Sequence, residues 1–122
     1  VRDGMGVSLL RKNKILTIIV TKETTQIVRK WAKKMNVAKL YDGIQQKELM
    51  VDTICSKYNV KPEELVYIGD DVNDVKLLKE VGLSATPADS IREVKKICNY
   101  ICKTNSGNGA FREVCDLILS QR

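Results

Sequence analysis

The sequence has no histidine and few aromatic residues, and these scarcities exclude several kinds of protein. Without histidine, the four cysteines lack the partners of a mixed zinc site, and none of them forms a Cys-x-x-Cys pair. Aromatic residues make up 5% of the chain, too few for the interleaved stacking surface of a nucleic-acid-binding module. No apolar run approaches the roughly 20 residues that cross a bilayer. No basic leader with an apolar core opens the chain.

What remains is the composition of a soluble globular domain. The chain has 122 residues, 43% of them hydrophobic and 30% charged, which predicts one domain, 1–122, in the cytoplasm. The formal charge of +6 comes from lysines spread along the chain, which indicates a solvated face or an anionic small substrate. The cysteines fall within apolar patterns, and we expect them to be reduced core residues.

Short apolar runs alternate with helical patterns along the chain. The run Ile15–Val20 is β-branched throughout, which predicts a strand buried on both faces and therefore parallel to its neighbours. The predicted strands are Ile15–Val20, Leu40–Tyr41, Leu65–Ile68, Leu83–Thr86 and Tyr100–Cys102. This alternation predicts a three-layer α/β fold with a parallel, Rossmann-like sheet.

The helices between these strands have recognisable starts. Thr24 or Thr25 is expected to cap the second helix, Lys47 to open the third, and Asp89 or Ser90 to cap a later one. A single buried stripe is predicted for the second helix. Its members are Ile27, Val28, Trp31, Ala32 and Met35.

An acidic turn, Gly69-Asp70-Asp71-Val72-Asn73-Asp74, follows the Leu65–Ile68 run and precedes a helical pattern. Acids at the carboxyl end of a buried strand lie where open α/β sheets bind ligands. Their mutual repulsion favours a divalent cation at the turn. The alternative is an acid-rich helix N-terminus capped by Asp71 or Asn73, which would account for one or two of the acids.

Three signals follow one another along the chain: Thr21 at a strand end, Lys47 at a helix start, and the acidic turn. Their order resembles that of the haloacid dehalogenase (HAD) phosphohydrolases. Further stretches are similar to the small capless subgroup that contains 3-deoxy-D-manno-octulosonate (KDO) 8-phosphate phosphatase and the sialic-acid-type 9-phosphate phosphatases. These stretches are 1–6, 40–43, 81–84, 87–89 and 107–114. The same module forms the C-terminal domain of many acylneuraminate cytidylyltransferases.

The resemblance implies a HAD-like fold whose first strand and hairpin precede the matched region. In the family that strand carries Asp-x-Asp, whose first Asp attacks phosphorus and whose second is the acid/base. We therefore expect residues 1–122 to be the C-terminal part of a longer HAD domain, inactive alone. The additional strand would lie between the Ile15–Val20 and Leu65–Ile68 strands.

The resemblance also implies roles for individual residues. Asp70 would bind Mg²⁺ directly, and Asp71, Asn73 and Asp74 would orient waters and neighbouring groups. Thr21 would donate a hydrogen bond to a phosphoryl oxygen, and Lys47 would neutralise charge in the transition state. Substrate contacts would come from Arg2, Asp3, Gly4, Glu23, Lys34 and Arg112. In a homotetramer, the tail with Gly107, Gly109 and Arg112 would reach a neighbouring active site. By themselves, a lone Thr or Lys at these positions is more often a capping Thr or a solvated Lys, and Arg112 equally suits a partner of Glu113 or Asp116.

The substrate signals are mixed. KDO 8-phosphate phosphatases usually have Gly-Arg after the motif threonine, where this chain has Lys22-Glu23, and Trp31 replaces a further Arg. We expect Trp31 to pack in the core, and Glu23 and Lys34, eleven residues apart, to share a helix face. This pattern favours a Mg²⁺-dependent phosphatase of a nine-carbon sugar-acid phosphate, although Arg2 fits KDO 8-phosphate. The alternative is a non-catalytic oligomerisation or regulatory domain of a cytidylyltransferase.

Overall fold

The computed structural model describes residues 2–121, with side chains from residue 4 onward. The predicted contacts Arg2 and Asp3 therefore have side chains outside the described residues. The chain packs as two compact units. The central unit is Gln46–Ala110, and the terminal unit combines the chain up to Gln45 with the segment from Phe111 onward. None of the described helices has the length and hydropathy needed to cross a bilayer.

Within residues 2–121, six α-helices and five strands alternate, as the apolar pattern predicts. The helices are α1 (Arg2–Lys12), α2 (Gln26–Met35), α3 (Met50–Tyr58), α4 (Val75–Glu80), α5 (Arg92–Ile97) and α6 (Ala110–Ser120). The strands are β1 (Ile18–Val20), β2 (Lys39–Tyr41), β3 (Val66–Ile68), β4 (Leu83–Thr86) and β5 (Tyr100–Ile101). Single 3₁₀ turns at Lys47–Leu49, Pro62–Glu64 and Val72–Asp74 precede α3, β3 and α4.

All strand pairs are parallel, which confirms the predicted α/β class. In the terminal unit β1 pairs with β2, from Ile18 opposite Lys39 to Val20 opposite Tyr41. In the central unit the strand order is β3-β4-β5. Parallel strands place their carboxyl ends at one edge of each sheet, so the loops after β3, β4 and β5 share an edge of the central sheet.

The first strand is shorter and less buried than predicted. Lys14 adopts a left-handed conformation with φ 63°. The N–H of Ile15 donates to the carbonyl of Leu10, so this residue belongs to the turn that ends α1. The prediction of a strand from Ile15 is therefore wrong by three residues. The three residues of β1 are half-buried, so the expectation of burial on both faces is also wrong.

Helix α2 begins as predicted but buries a narrower stripe. The hydroxyl of Thr25 accepts a hydrogen bond from the Val28 amide at 3.3 Å and caps the helix. Ala32 is buried, whereas Trp31 is 46% and Ile27 79% exposed. The prediction that Ile27 and Trp31 pack in the core is wrong. These two residues form a second stripe, about 100° around the helix from the buried one.

The core of each unit is apolar, with a few buried polar groups in the central unit. The terminal unit buries Val7, Leu10, Ala32, Met35, Val114 and Cys115. The central unit buries Val51, Ile54, Leu77, Leu78, Ala85, Val94, Cys102 and Ala110, together with Asp74, Ser84 and Thr86. None of the four cysteines among residues 4–121 is in a disulfide; Cys102 and Cys115 are buried, and Cys55 and Cys98 are half-buried.

The loops after β4 and β5 are joined by side chains that were predicted to cap α5. The carboxylate of Asp89 accepts the amide and the hydroxyl of Ser106 at 2.8 and 2.9 Å. The hydroxyl of Ser90 donates to the Pro87 carbonyl at 3.0 Å. Ile91 occupies the N-cap position of α5 and makes no side-chain cap. The predicted cap is therefore wrong, because both candidates are engaged in cross-loop or local turn bonds.

Candidate active site

The acidic turn begins at Gly69, directly after β3, and the glycine is required by the packing of Asp74. A Cβ atom at Gly69 would lie 2.7 Å from Cβ and 2.8 Å from Cγ of Asp74, closer than real contacts allow. The absence of a side chain therefore lets the Asp74 carboxylate approach the backbone of the turn. Gly69 is itself buried, so the approach is made inside the protein.

Asp74 is the centre of the site, because four donors converge on its carboxylate. Oδ1 accepts from Lys47 Nζ at 2.9 Å and from the Tyr67 hydroxyl at 2.7 Å. Oδ2 accepts from the backbone amides of Asp70 at 3.0 Å and Asp71 at 3.2 Å. The side chain of Asp74 is only 3% exposed. A buried carboxylate is tolerated when it is paired and fully hydrogen-bonded, as this one is.

Asp71 caps the 3₁₀ turn, which was one of the two interpretations left open. Its Oδ1 accepts from the Val72 amide at 2.7 Å, and its carbonyl accepts from the Asp74 amide at 2.9 Å. Asp71 and Asp74 together form a reciprocal capping box. The helix-start interpretation thus accounts for Asp71 and part of the role of Asp74, but it leaves Asp70 unexplained.

Lys47 reaches the turn from the 3₁₀ turn Lys47–Leu49, which packs against both Val72–Asp74 and α4. Its side chain is 13% exposed, so the ammonium is largely withdrawn from water and paired with Asp74. The alternative of a solvated lysine is therefore wrong. The pairing joins residues 27 positions apart in the sequence.

The electrostatics of the three groups follow from this pairing. Burial raises the pKa of Asp74, but hydrogen bonds from Tyr67 and Lys47 outweigh it and hold the pKa below its usual range. Burial, and then the charge of Asp74, raises the pKa of Tyr67, so its hydroxyl remains a donor. Asp70 is exposed as a whole residue. Partial desolvation of its carboxyl nevertheless raises its pKa, and the charges of Asp74 and Asp71 raise it further.

Asp70 fits the role of a single metal ligand in an open site. The backbone amide of Asp70 donates to the Asp74 carboxylate, whereas its own carboxyl group has a raised pKa. A nearby cation would lower that pKa again. The side-chain oxygen of Asn73 is buried without a hydrogen-bond partner among the described residues. An oxygen of this kind suits a metal-bound water or a ligand supplied from elsewhere.

The three acids do not enclose a metal by themselves. Within residues 4–121 no three His, Cys, Asp or Glu side chains are arranged to hold an ion. Asp74 is committed to Lys47 and Tyr67, and Asp71 to its cap. The cation predicted at this turn would therefore be held by fewer than all three of its carboxylates. What fits is Asp70 alone, with other ligands from outside this turn.

The predicted residues of the terminal unit are placed around the end of β1 and along α2. Thr21 follows β1 directly, and its hydroxyl oxygen accepts from the Glu23 amide at 3.1 Å. The hydroxyl proton of Thr21 stays available for donation. Glu23 and Lys34 are both exposed. Because α2 begins at Gln26, Glu23 lies before it, and the assumption that Glu23 and Lys34 share one helix is wrong.

Among the other predicted contacts, Arg112 is engaged within α6. Its Nε donates to Asp116 Oδ1 at 3.0 Å, which is one of the two pairings considered from the sequence. Gly4 lies in α1 and has open space around its Cα. Gly107 and Gly109 have φ values of 79° and 104°, which a glycine adopts readily.

Tyr67 is the site residue that no role was predicted for. A signal was present in the strand alternation, because residues two apart point to the same face. Tyr67 and Gly69 therefore face the same side, and the missing side chain of Gly69 makes room there for a buried acceptor. The hydroxyl of a tyrosine two residues before such a glycine needs a hydrogen-bond acceptor, and the buried carboxylate on the same face can provide it.

Known proteins are similar to this chain in both sequence and fold. The model of the haloacid dehalogenase-like hydrolase family matches residues 9–114 and so spans both units. The 3-deoxy-D-manno-octulosonate 8-phosphate phosphatase of Yersinia pestis is 34% identical over 98% of this chain. The chain spans 64% of the length of that relative.

Two solved structures are similar in fold over nearly the whole chain. The cobalt-bound deoxy-D-mannose-octulosonate 8-phosphate phosphatase of Haemophilus influenzae gives a TM-score of 0.94 at 30% identity. The match covers 98% of this chain and 70% of that one. The Moraxella catarrhalis phosphatase, in complex with magnesium, phosphate and KDO, gives 0.95 at 29% identity, with coverage of 99% and 70%. These comparisons confirm the resemblance to the haloacid dehalogenase phosphohydrolases and to their KDO 8-phosphate phosphatases, and the chain belongs to the haloacid dehalogenase-like hydrolase family.

Proposed function

We propose that the full-length protein is a Mg²⁺-dependent phosphomonoesterase that acts on a sugar-acid phosphate. The observation that supports this most directly is the buried Lys47–Asp74 pair beside Asp70, at the carboxyl end of β3. Phosphoryl transfer requires cations and donors positioned around the phosphoryl group, with little other chemistry from the protein. A lysine held by a buried acid next to an exposed carboxylate provides one cation and one metal ligand.

Each residue then has a defined task. Asp70 would hold the metal, which when bound would neutralise charge on the phosphoryl oxygens. Asp74 and the Asp71 cap fix the backbone of the turn and thereby the direction of Asp70. Lys47 would donate to a phosphoryl oxygen as negative charge develops. Thr21 would donate its hydroxyl proton to another.

The attacking group is proposed to come from outside these 122 residues. β1 and β3 each pair with one strand among the described residues, so each has a free edge. An Asp-x-Asp strand placed on these edges would supply the nucleophile, the acid/base and a further metal ligand. We propose, on the family resemblance, that a homotetramer brings Gly107, Gly109 and Arg112 to a neighbouring site; Arg2, Asp3, Gly4, Glu23 and Lys34 would contact substrate.

KDO 8-phosphate is the first substrate to test, because several proteins that are similar to this chain are named for it. A nine-carbon sugar-acid 9-phosphate is the second. Lys22-Glu23 and Trp31 stand where KDO 8-phosphate phosphatases are expected to carry arginines. Trp31 is 46% exposed, so this position remains a surface site rather than a core position.

The experiment compares phosphate release from the two sugar-acid phosphates by the full-length protein, with Mg²⁺ and after chelation. We expect hydrolysis with Mg²⁺ only, and a loss of at least about a hundredfold in kcat for Asp70→Ala. Asp52→Ala removes an exposed acid from α3 and serves as the matched control, with kcat unchanged. A tenfold difference in kcat/KM between the two compounds would assign the substrate.

A non-catalytic role is the second candidate, as an oligomerisation or regulatory domain of an acylneuraminate cytidylyltransferase. The replaced arginines favour it, since a domain released from catalysis would lose substrate contacts first. If the full-length protein releases no phosphate from either compound under any metal condition, this role is favoured over the enzyme. Hydrolysis that Asp70→Ala abolishes would exclude it.

A further inference from the structure

The Tyr67 hydroxyl is the donor to Asp74 that the proposed reaction leaves without a task. It lies 2.7 Å from Asp74 Oδ1, the same oxygen that accepts from Lys47 at 2.9 Å. The other two donors, the amides of Asp70 and Asp71, fix the turn. A tyrosine that shared this oxygen only to fill space would be replaceable by phenylalanine without consequence.

The two side-chain donors on Oδ1 differ in how firmly they are held. Tyr67 lies in β3, opposite Ser84 of β4, and its ring has only two torsions. Lys47 lies in a 3₁₀ turn and reaches Asp74 through a four-carbon stem, which keeps much more rotamer freedom. The tyrosine therefore fixes the carboxylate, and the ammonium adjusts to it.

The acceptor capacity of the carboxylate is used up by its four donors. Each carboxylate oxygen offers about two lone-pair positions. Oδ1 is filled by Tyr67 and Lys47, and Oδ2 by two backbone amides. Lys47 consequently holds Asp74 by one of its three N–H groups. Within the side chains of residues 4–121, no second acceptor for Lys47 lies at hydrogen-bonding distance.

We propose that Tyr67 is a positioning residue for Lys47. By occupying half of Oδ1, its hydroxyl limits the lysine to a single hydrogen bond and leaves two N–H groups for a phosphoryl oxygen. Without the hydroxyl, the ammonium can move over the carboxylate and pair with it more closely. The part of this inference that concerns a phosphoryl group rests on the proposed function; the coupling of Tyr67 to Lys47 does not.

The test uses Tyr67→Phe in the full-length protein, which removes one oxygen atom and keeps the ring. We expect kcat for the preferred sugar-acid phosphate to fall about three- to tenfold, the effect of one hydrogen bond, with KM within about twofold. KM changes little because the lysine contributes most where charge develops in the transition state. Tyr58→Phe removes the same atom from the end of α3, where the ring lies against Lys57, and should change neither constant.

A second measurement reports on Lys47 without requiring activity. A brief pulse of acetic anhydride followed by peptide mass spectrometry gives the acylation rate of each lysine. Lys47 should label at least about threefold more slowly in Tyr67→Phe, because a more closely paired ammonium presents its nitrogen less often. Lys76, whose side chain is 77% exposed, is the internal reference and should label at an unchanged rate.

The outcomes separate this inference from the proposed function. A fall in kcat together with slower labelling of Lys47 supports the inference. Unchanged kcat and labelling overturn it, as does a fall in kcat without any change at Lys47. Faster labelling of all lysines would mean that the hydroxyl only stabilises the fold, which also overturns it. A wild-type protein that hydrolyses neither substrate while Lys47 responds as expected refutes the proposed function alone.

Discussion

The two units of the chain differ in how deeply an ion pair is buried in each. In the central unit the Lys47–Asp74 pair is buried, with side chains 13% and 3% exposed. In the terminal unit the Arg29–Asp42 pair has the same N–O distance, 2.9 Å, but side chains 61% and 26% exposed. At the same distance, the two ion pairs contribute differently to stability because they differ in burial. Water screens the charges of the exposed pair, whereas each charge of the buried pair depends on the other for its stabilisation. Among the side chains of residues 4–121, the buried charged one, Asp74, belongs to the central unit.

The units also differ in how they use apolar side chains. In the central unit Leu77 and Leu78 of α4 are at most 4% exposed. In the terminal unit α2 leaves Ile27 and Trp31 on its surface. Apolar residues at helical spacing are therefore buried in α4, whereas in α2 part of the predicted apolar stripe lies on the surface.

The largest expected effect comes from removing the buried acid. Asp74→Ala leaves Lys47 and the Tyr67 hydroxyl without their acceptor in a nearly closed environment. We expect the free energy of unfolding to fall by about 3–5 kcal/mol, as for other broken buried pairs. The matched change Asp42→Ala in the terminal unit should cost about 1 kcal/mol or less, since Arg29 remains solvated. Urea unfolding of the full-length variants measures both values.

The lowered pKa of Asp74 provides a second, independent test of this prediction through the pH dependence of stability. A carboxyl whose pKa is lower in the folded than in the unfolded state stabilises the fold above its unfolded pKa. That stabilisation is lost as the pH falls through the folded pKa. The difference in stability between the wild type and Asp74→Ala should therefore narrow in acid, whereas equal costs for Asp74→Ala and Asp42→Ala would remove the distinction between the units.

A smaller effect is expected from replacing Gly69, whose lack of a side chain lets Asp74 pack against the turn. Gly69→Ala places a Cβ within 2.9 Å of three Asp74 atoms, so the carboxylate or the strand end must move. We expect a cost of about 1–3 kcal/mol, typical of overpacking. Gly4→Ala in α1 meets nothing within 4 Å and should instead stabilise by about 0.5–1 kcal/mol through helix propensity. Thermal unfolding of both variants tests the contrast, and destabilisation by Gly4→Ala would contradict it.

Local sequence signals predicted the order of elements and two of the caps. The Thr25 cap, the Asp71 cap and the strand Leu83–Thr86 each depend on residues within a few positions, where propensity and hydrogen-bonding distance decide the outcome. The spacing of Lys47 and the acidic turn carried the family resemblance. That the lysine pairs specifically with Asp74 was not predictable from spacing, because 27 residues separate them and three acids compete.

Two of the predictions that proved wrong, the cap at Asp89 and the buried Trp31, share one physical origin. Asp89 was expected to cap α5, but the amide and hydroxyl of Ser106, 17 residues away, are its partners. Trp31 was expected in the core, but the helix buries the stripe next to it. In both cases a local rule offered two acceptable choices, and tertiary packing selected between them. The helix rotation and the loop partner are set by neighbours that the local pattern does not contain.

The smallest expected effect compares two backbone amides that donate to side-chain oxygens, one in each unit. In the central unit the Ser106 amide donates to the Asp89 carboxylate at 2.8 Å. In the terminal unit the Glu23 amide donates to the neutral Thr21 hydroxyl at 3.1 Å. Only the first acceptor changes charge with pH. The Ser106 amide, and after it the Ser106 hydroxyl, hold the pKa of Asp89 below its usual range.

The sign of the pH response follows from the direction of that shift. A lowered folded-state pKa means that the Asp89–Ser106 contact is fully present above the unfolded pKa and weakens as the pH falls through the folded one. We expect the hydrogen-exchange protection of the Ser106 amide, corrected for intrinsic exchange, to decrease in acid, while that of Glu23 stays constant. Asp89→Asn should remove the pH dependence at Ser106 and leave Glu23 unaffected. Parallel changes at both amides would mean that acid loosens the chain as a whole. The contrast between a pH-dependent hydrogen bond in the central unit and a pH-independent one in the terminal unit would then be lost.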